Sequence, residues 1–434
     1  MARQTAQTSA QRQQKASGRE SAHQRHQDGE TEEIAIPQFF NTTFSTHRVS
    51  PLYAGTQKLD QARLDRLAHR LRDTLVGDVV RGVQIGLEAT DTPMGQVGPL
   101  KAVTFRWFRA TDVLGDKTSE GGDELADEQN KGLWIELRHE NAAYVALLLP
   151  GLSQSKKVSN RPTASLWNMS LDQPDIGETD SSQFLHLPLL LLRMPQPLKA
   201  VIGEWLSATF DCRVTKLNLG TRTLVNVLEG WLQGTGLPRA DSDLVLTLAF
   251  NAPVTDKGRE AVLPSSGDVG DNDDDEENEA TEPGLRSMEI SVSASDLRRF
   301  LRAGKALQKS KRAASNTAST VSSNKASWEH DDIERRRLAG PHIDDGWGWL
   351  KGKDAPPYPL MEALAHHLDH HMALNLFHPG VRVTQISCGG FVLSQSRIKI
   401  VKTGDVTEDL SKAAWMFVTL LGERLQNNGM SLGT

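Results

Sequence analysis

A disulfide framework is the first thing this sequence excludes. Cys212 and Cys388 are its two cysteines in 434 residues, too few for a cross-linked scaffold and in keeping with a reducing compartment. Long apolar runs are missing as well. The most apolar stretches, "YVALLLPGL" and "FLHLPLLLLRM", are too short to cross a bilayer, and Pro188 breaks the second. No secretory leader opens the chain, whose first thirty residues are rich in Gln, Ser, Arg and His with no apolar core. A soluble, intracellular protein without membrane contact is expected. Excess positive charge is absent too: the formal charge is -6, so any attraction to nucleic acid has to be local. The apolar fraction of 38% falls below that of a fully globular chain, so part of the length is expected to stay unfolded.

What is present reads as a tail followed by two α+β subdomains. Residues 1–36 lack the apolar side chains that offset ordering entropy and read as a disordered tail. An N-terminal domain spans 37–188. In it Leu64, Leu67, Ala68, Leu71 and Leu75 fall three and four apart, the stripe of an amphipathic helix, with Gly77 as its expected end. The period then switches to two. Val79, Arg81, Val83, Ile85 and Leu87 read as a strand, followed by "KAVTFRWFRA", "GLWIELRHE" and "AAYVALLLPG" as an antiparallel meander. A C-terminal domain spans 189–434. Helices are expected at "PLKAVIGEWLSATF" and "TRTLVNVLEGWLQGTG", strands at "DCRVTKLNLG" and "SDLVLTLAFN". Insertions near 255–284, which is acidic, and 310–330 interrupt it. Between them lie a strand and a helix for which Ser295 is a plausible N-cap. A helix from about Leu360, strands turning near Gly389 and Gly390, and a closing amphipathic helix complete the pattern. Helices and strands mix without regular alternation, which predicts an α+β fold.

The chemical motifs mostly fail. His366, His367, His370 and His371 form two pairs four apart on the 360–376 helix, a spacing that can grip zinc. No HExxH places a glutamate between ligands, and a zinc site needs a third protein ligand, so a polar helix rim is the preferred reading and no metal is expected. Asp271, Asp273, Asp275 and Glu282 fit four positions of a calcium loop, but Glu276 occupies the position that needs glycine. "GWGWLKG" misplaces the third glycine of a dinucleotide fingerprint. With no Walker loop and no nucleophile elbow, neither catalysis nor a cofactor is expected.

Two features point to binding. Arg298, Arg299, Arg302 and Lys305 begin a run continued by Lys309, Lys311 and Arg312. Its helix could lie on a DNA backbone, which makes a nucleic-acid binder acting through 298–312 the alternative function. Near the C-terminus Phe391, Val392, Leu393, Ile398 and Ile400 suggest a terminal sheet able to accept a strand from another chain.

The blocks "FFNTTFSTHRVSPLYAG" with "RLAHRLRDTLVGDVVRGVQIGLE", "LLLLRMPQPLKAVIGEWLSATFDCRV" and "VTQISCGGFVLSQSRIKIV" resemble the fungal branch of the CENP-L family of inner-kinetochore subunits. The resemblance covers about three-fifths of the chain, and its first block is the most specific. It implies a curved, largely antiparallel sheet with packed helices and a non-enzymatic scaffold. The expected partners are a CENP-N-like subunit, other subunits of the constitutive centromere-associated network, and centromeric DNA or nucleosome indirectly. The location implied is the nucleus, at the centromere. Carried onto this chain, the pairing surface would include Phe391, Val392, Leu393, Ile398 and Ile400.

Overall fold

Leu244, Leu246 and Leu248 are fully buried, while Val245, Thr247 and Ala249 between them are half-buried. That two-residue period makes a strand with one core-facing side, and a largely antiparallel sheet of eleven such strands runs through the protein. The computed structural model describes residues 37–57, 59–80, 97–115, 130–151, 183–234, 243–250, 285–315, 332–340, 344–347, 358–402 and 407–427. All lie in one unit, 36–434.

In chain order the first elements are β1 (Phe44–Val49), β2 (Leu52–Tyr53), α1 (Gln61–Val80), β3 (Leu100–Arg109), α2 (Ala110–Leu114), β4 (Lys131–His139), β5 (Ala143–Leu149), β6 (Phe184–Leu185), β7 (Leu189–Arg193), α3 (Gln196–Phe210) and β8 (Val214–Lys216). There follow α4 (Thr221–Gly234), β9 (Leu244–Phe250), β10 (Ser287–Val292), α5 (Ala294–Ser315), α6 (Asp332–Ala339), α7 (Pro359–Met372), β11 (Val381–Cys388), β12 (Phe391–Ser394), β13 (Arg397–Ile400) and α8 (Glu408–Asn427). The large sheet runs β10-β9-β11-β12-β13-β1-β7-β5-β4-β3, with β8 also on β1, while β2 and β6 pair separately. The mixed α+β fold expected from the residue pattern is the one observed.

Local chemistry sets several boundaries, some against expectation. The Asp60 carboxylate accepts the N–H of Arg63 at 2.9 Å and starts α1, as an N-cap does. Gly77 does not stop that helix, which runs to Val80. Val79 is therefore helical rather than extended, and the rest of that expected strand, 81–87, lies outside the described residues. So do the expected tail at 1–36 and the acidic insertion. The cap of α5 is Ser293, whose hydroxyl accepts the N–H of Asp296 at 3.2 Å; Ser295 lies two residues further on, already inside the helix.

Two cores fill the two sides of the sheet. In β7, Leu190 and Leu192 face a core closed by α1 and α3, with Leu64, Leu71, Ile202 and Leu206 buried in it. Leu189 and Leu191 face the opposite core, which runs the length of the sheet beneath α2, α4, α7 and α8. Asn41 and Lys402, 361 residues apart, exchange two hydrogen bonds where β1 meets β13. The expected boundary near Leu189 therefore falls inside a continuous sheet.

Candidate interaction surface

The strands expected to offer a free edge do not have one. β12 is hydrogen-bonded between β11 and β13, and β13 between β12 and β1. Phe391, Leu393, Ile398 and Ile400 are at most 1% exposed. The ring of Phe391 packs edge-on against Trp231 of α4 and Phe417 of α8, at 5.0 and 5.6 Å between centroids. Gly390 allows this close packing: a Cβ there would lie 2.5 Å from the Trp231 ring. Of the five residues, only Val392 points to the other side, where it is half-buried and belongs to neither core.

The sheet ends elsewhere, at β3 and at β10, and of these two edges β10 lies in the same half as the expected surface. It pairs with β9 on one side, and among the described residues no strand pairs with the other. Phe250 donates its N–H to Arg286 at 2.9 Å. In an antiparallel pair the bonded positions alternate, so Ser287, Glu289 and Ser291 direct their backbone N–H and C=O groups away from β9. Their side chains are exposed, and the edge runs six residues.

The face next to that edge is open. Register joins Glu289 to Thr247, Thr247 to Gln385, Gln385 to Ser394, and Val392 to Lys399. Register-paired residues share a face, and none of these is buried. The opposite faces of the same strands are sealed by leucine, isoleucine, valine and phenylalanine.

The basic helix is exposed as expected. Arg298, Arg299, Arg302 and Lys305 all face solvent on α5, and Arg299 is tied to Asp296 at 3.2 Å. α5 packs closely on α7: Gly304 is buried, and a Cβ there would fall 1.7 Å from the carbonyl oxygen of Pro359. Between the two helices runs a shallow groove of about 650 Å³, lined by Phe300, Ala303, Leu307 and the four histidines. His367 and His371 lie tilted against each other with centroids 4.4 Å apart, and His367 meets Phe300 at 5.3 Å. Among the described residues no three His, Cys, Asp or Glu side chains are grouped to hold a metal ion.

Two buried carboxylates tie this half together, neither suspected from the sequence. Asp344 accepts the Gly220 N–H at 2.6 Å, and the Thr223 N–H and hydroxyl at 3.1 and 2.9 Å, closing the N-terminus of α4. Glu229, inside α4, accepts the Leu360 and Met361 N–H groups at 3.0 and 3.2 Å, closing the N-terminus of α7. Burial pushes the Glu229 carboxyl up to about 7, against the pull of those two amides. Such caps satisfy amides that the helix itself leaves unpaired. The signal was invisible because each carboxylate caps a helix remote in sequence. Both cysteines are buried; burial, with Asp211 adding to it, pushes Cys212 up to about 11, and burial also raises Cys388. Neither thiol has the lowered pKa of a reactive one.

These features define a mixed α+β protein in which the described residues leave two strand edges, a sheet face and a basic helix accessible. No described helix is long and apolar enough to cross a membrane. The family model of centromere protein L, CENP-L, matches residues 38–426, and the chain belongs to that family. It is accordingly a kinetochore subunit of a structural family, located in the nucleus at the centromere and engaged in chromosome segregation. Comparison with curated proteins finds no match.

Proposed function

We propose that this subunit heterodimerises with a CENP-N-like partner by strand addition at the outer edge of β10, and so supports assembly of other centromere-associated network subunits on centromeric chromatin. The observation that carries this reading is the outward set of backbone groups at Ser287, Glu289 and Ser291. Strand addition takes affinity from such groups and specificity from the alternating side chains. The adjoining open face, with Val392 and Lys399, enlarges the contact toward the roughly 1,200 Å² of a stable interface. Phe391, Leu393, Ile398 and Ile400 serve the pairing by holding the sheet in shape. The scaffold acts without catalysis.

Glu289→Pro tests the edge. Proline removes an outward N–H and leaves the β9 ladder its bonds. Stoichiometric capture of a CENP-N-like subunit from nuclear extract is expected to be lost, with the melting temperature unchanged. Undiminished capture would place the partner elsewhere.

A second reading concerns α5. Arg298, Arg302, Lys305 and Lys309 recur at three and four residues on an exposed helix, a geometry suited to a DNA backbone. We propose that they steady nearby DNA. A gel-shift titration at two salt concentrations should then show affinity falling steeply with salt, and absence of binding at low salt removes this reading.

A further inference from the structure

Three cations meet at the inner end of the open face, in a place that strand addition at β10 does not use. β13 and β8 lie on the same side of β1, with Arg397 opposite Ser45 and Lys216 opposite His47. Opposed residues share a face. Because Ser45 and His47 are two residues apart, Arg397 and Lys216 rise from that face about 7 Å apart along the strand. Lys199 joins them from the first turn of α3. Its ammonium is held below its ordinary value by burial, then by the charges of Arg397 and Lys216. His47 beneath them is lowered by burial, and Lys199 and Lys216 push the same way. No Asp or Glu among the described residues pairs with Lys199, Lys216 or Arg397.

Each of these placements is unfavourable to the free protein. Like charges repel, and partial burial strips an ammonium of water. A cation in the first turn of a helix faces the positive end of the dipole, and that turn contains no acidic residue to offset it. A bound anion would relieve all three costs at once.

We propose that Lys199, Lys216 and Arg397 form a docking site for a phosphorylated side chain of a protein segment. A phosphate dianion brings three acceptor oxygens, which suits three neighbouring cations, one of them the planar fork of an arginine. Beside the cations, Lys399, Val392, Ser394 and Gln385 share one unburied face that register keeps continuous from β13 to β11; an extended peptide can lie along it. Duplex DNA suits the cluster less well, since binding that backbone typically draws on about 6–10 phosphate contacts. The phosphate site rests on the three cations and not on a strand added at β10; the peptide track past Val392 is shared with the face proposed to widen that contact.

The test uses the full chain and an oriented library of peptides with a fixed central phosphoserine, beside the same library carrying serine. Retention on the phosphorylated library, competed by inorganic phosphate, is expected. Lys216→Glu and Arg397→Glu should each weaken it by about tenfold or more, the scale of one charge-assisted contact. Lys199→Gln should weaken binding while leaving the melting temperature unchanged or higher, because it removes a repulsion; a purely structural lysine would lower it. Equal retention on both libraries would overturn the proposal. So would phosphopeptide binding that survives the Lys216→Glu, Arg397→Glu double variant, or a duplex DNA probe that binds through these cations where phosphopeptides do not.

Discussion

Among the described residues, the N-terminal half of the sheet is covered on both sides and the C-terminal half on one. In β7 adjacent leucines sink into two different cores. In β12 Leu393 is sealed while Val392 beside it stays half-buried. The first half thus uses both faces of its strands for the fold and keeps only the β3 edge, while the second has a face as well as an edge left for other molecules. The difference shows that apolar strand residues do not mark a binding surface here. The surface is marked by the polar residues alternating with them.

The largest expected effect tests this difference directly. Leu190→Asp and Leu191→Asp should both unfold the protein, since an unpaired buried charge costs several kcal/mol against a total stability of about 5–15 kcal/mol. Leu393→Asp should do the same. Circular dichroism melts check all three, and a folded Leu191→Asp variant would break the picture of a double-sided half.

Next comes the cap that holds α7. The folded carboxyl of Glu229 titrates at about 7 against an ordinary 4.5. The native state thus binds the extra proton between those values, so stability falls as pH rises through this window and is lowest above it. Glu229→Gln keeps an acceptor for Leu360 and Met361 and removes the charge. It should flatten the profile and stabilise the protein above neutral pH by on the order of 2–3 kcal/mol. Chemical denaturation at pH 5 and pH 8 reads this; an unchanged slope would show that the carboxylate is better solvated than its burial implies. Gly390→Ala, which drives a methyl into the Trp231 ring, should cost roughly 1–3 kcal/mol as overpacking does, seen in the denaturation midpoint. Smallest of all, Val392→Asp on the open face should shift stability by no more than about 0.5 kcal/mol, while altering partner capture.

Much of the architecture was legible in the residues. The alternation in "LVLTLAF" gave β9 and its core face, and the stripe through Leu64, Leu67 and Leu71 gave α1. The block from Phe39 to Gly55 carried the family resemblance. Strand order was not legible. Phe391 to Ile400 shows an apolar face, but nothing local tells an edge strand from an inner one, because the neighbour β1 comes from the opposite end of the chain. Gly77 failed as a stop because glycine weakens a helix without forbidding it. The cation cluster was hidden for the reason that hid the two carboxylate caps: Arg397 is remote in sequence from Lys199 and Lys216 and reaches them only through β1.

The seam between β1 and β13 also bears on biosynthesis. Among the described strands β1 precedes all others and β13 follows them, so β1 can join β7 and β8 early while its seam with β13 stays open through most of translation. A chain that stopped shortly before Arg397 would hold β1 against β7 and β8 but leave Phe44 and Ser45 without their β13 partners. Such a product is expected to be a target for chaperones and proteases.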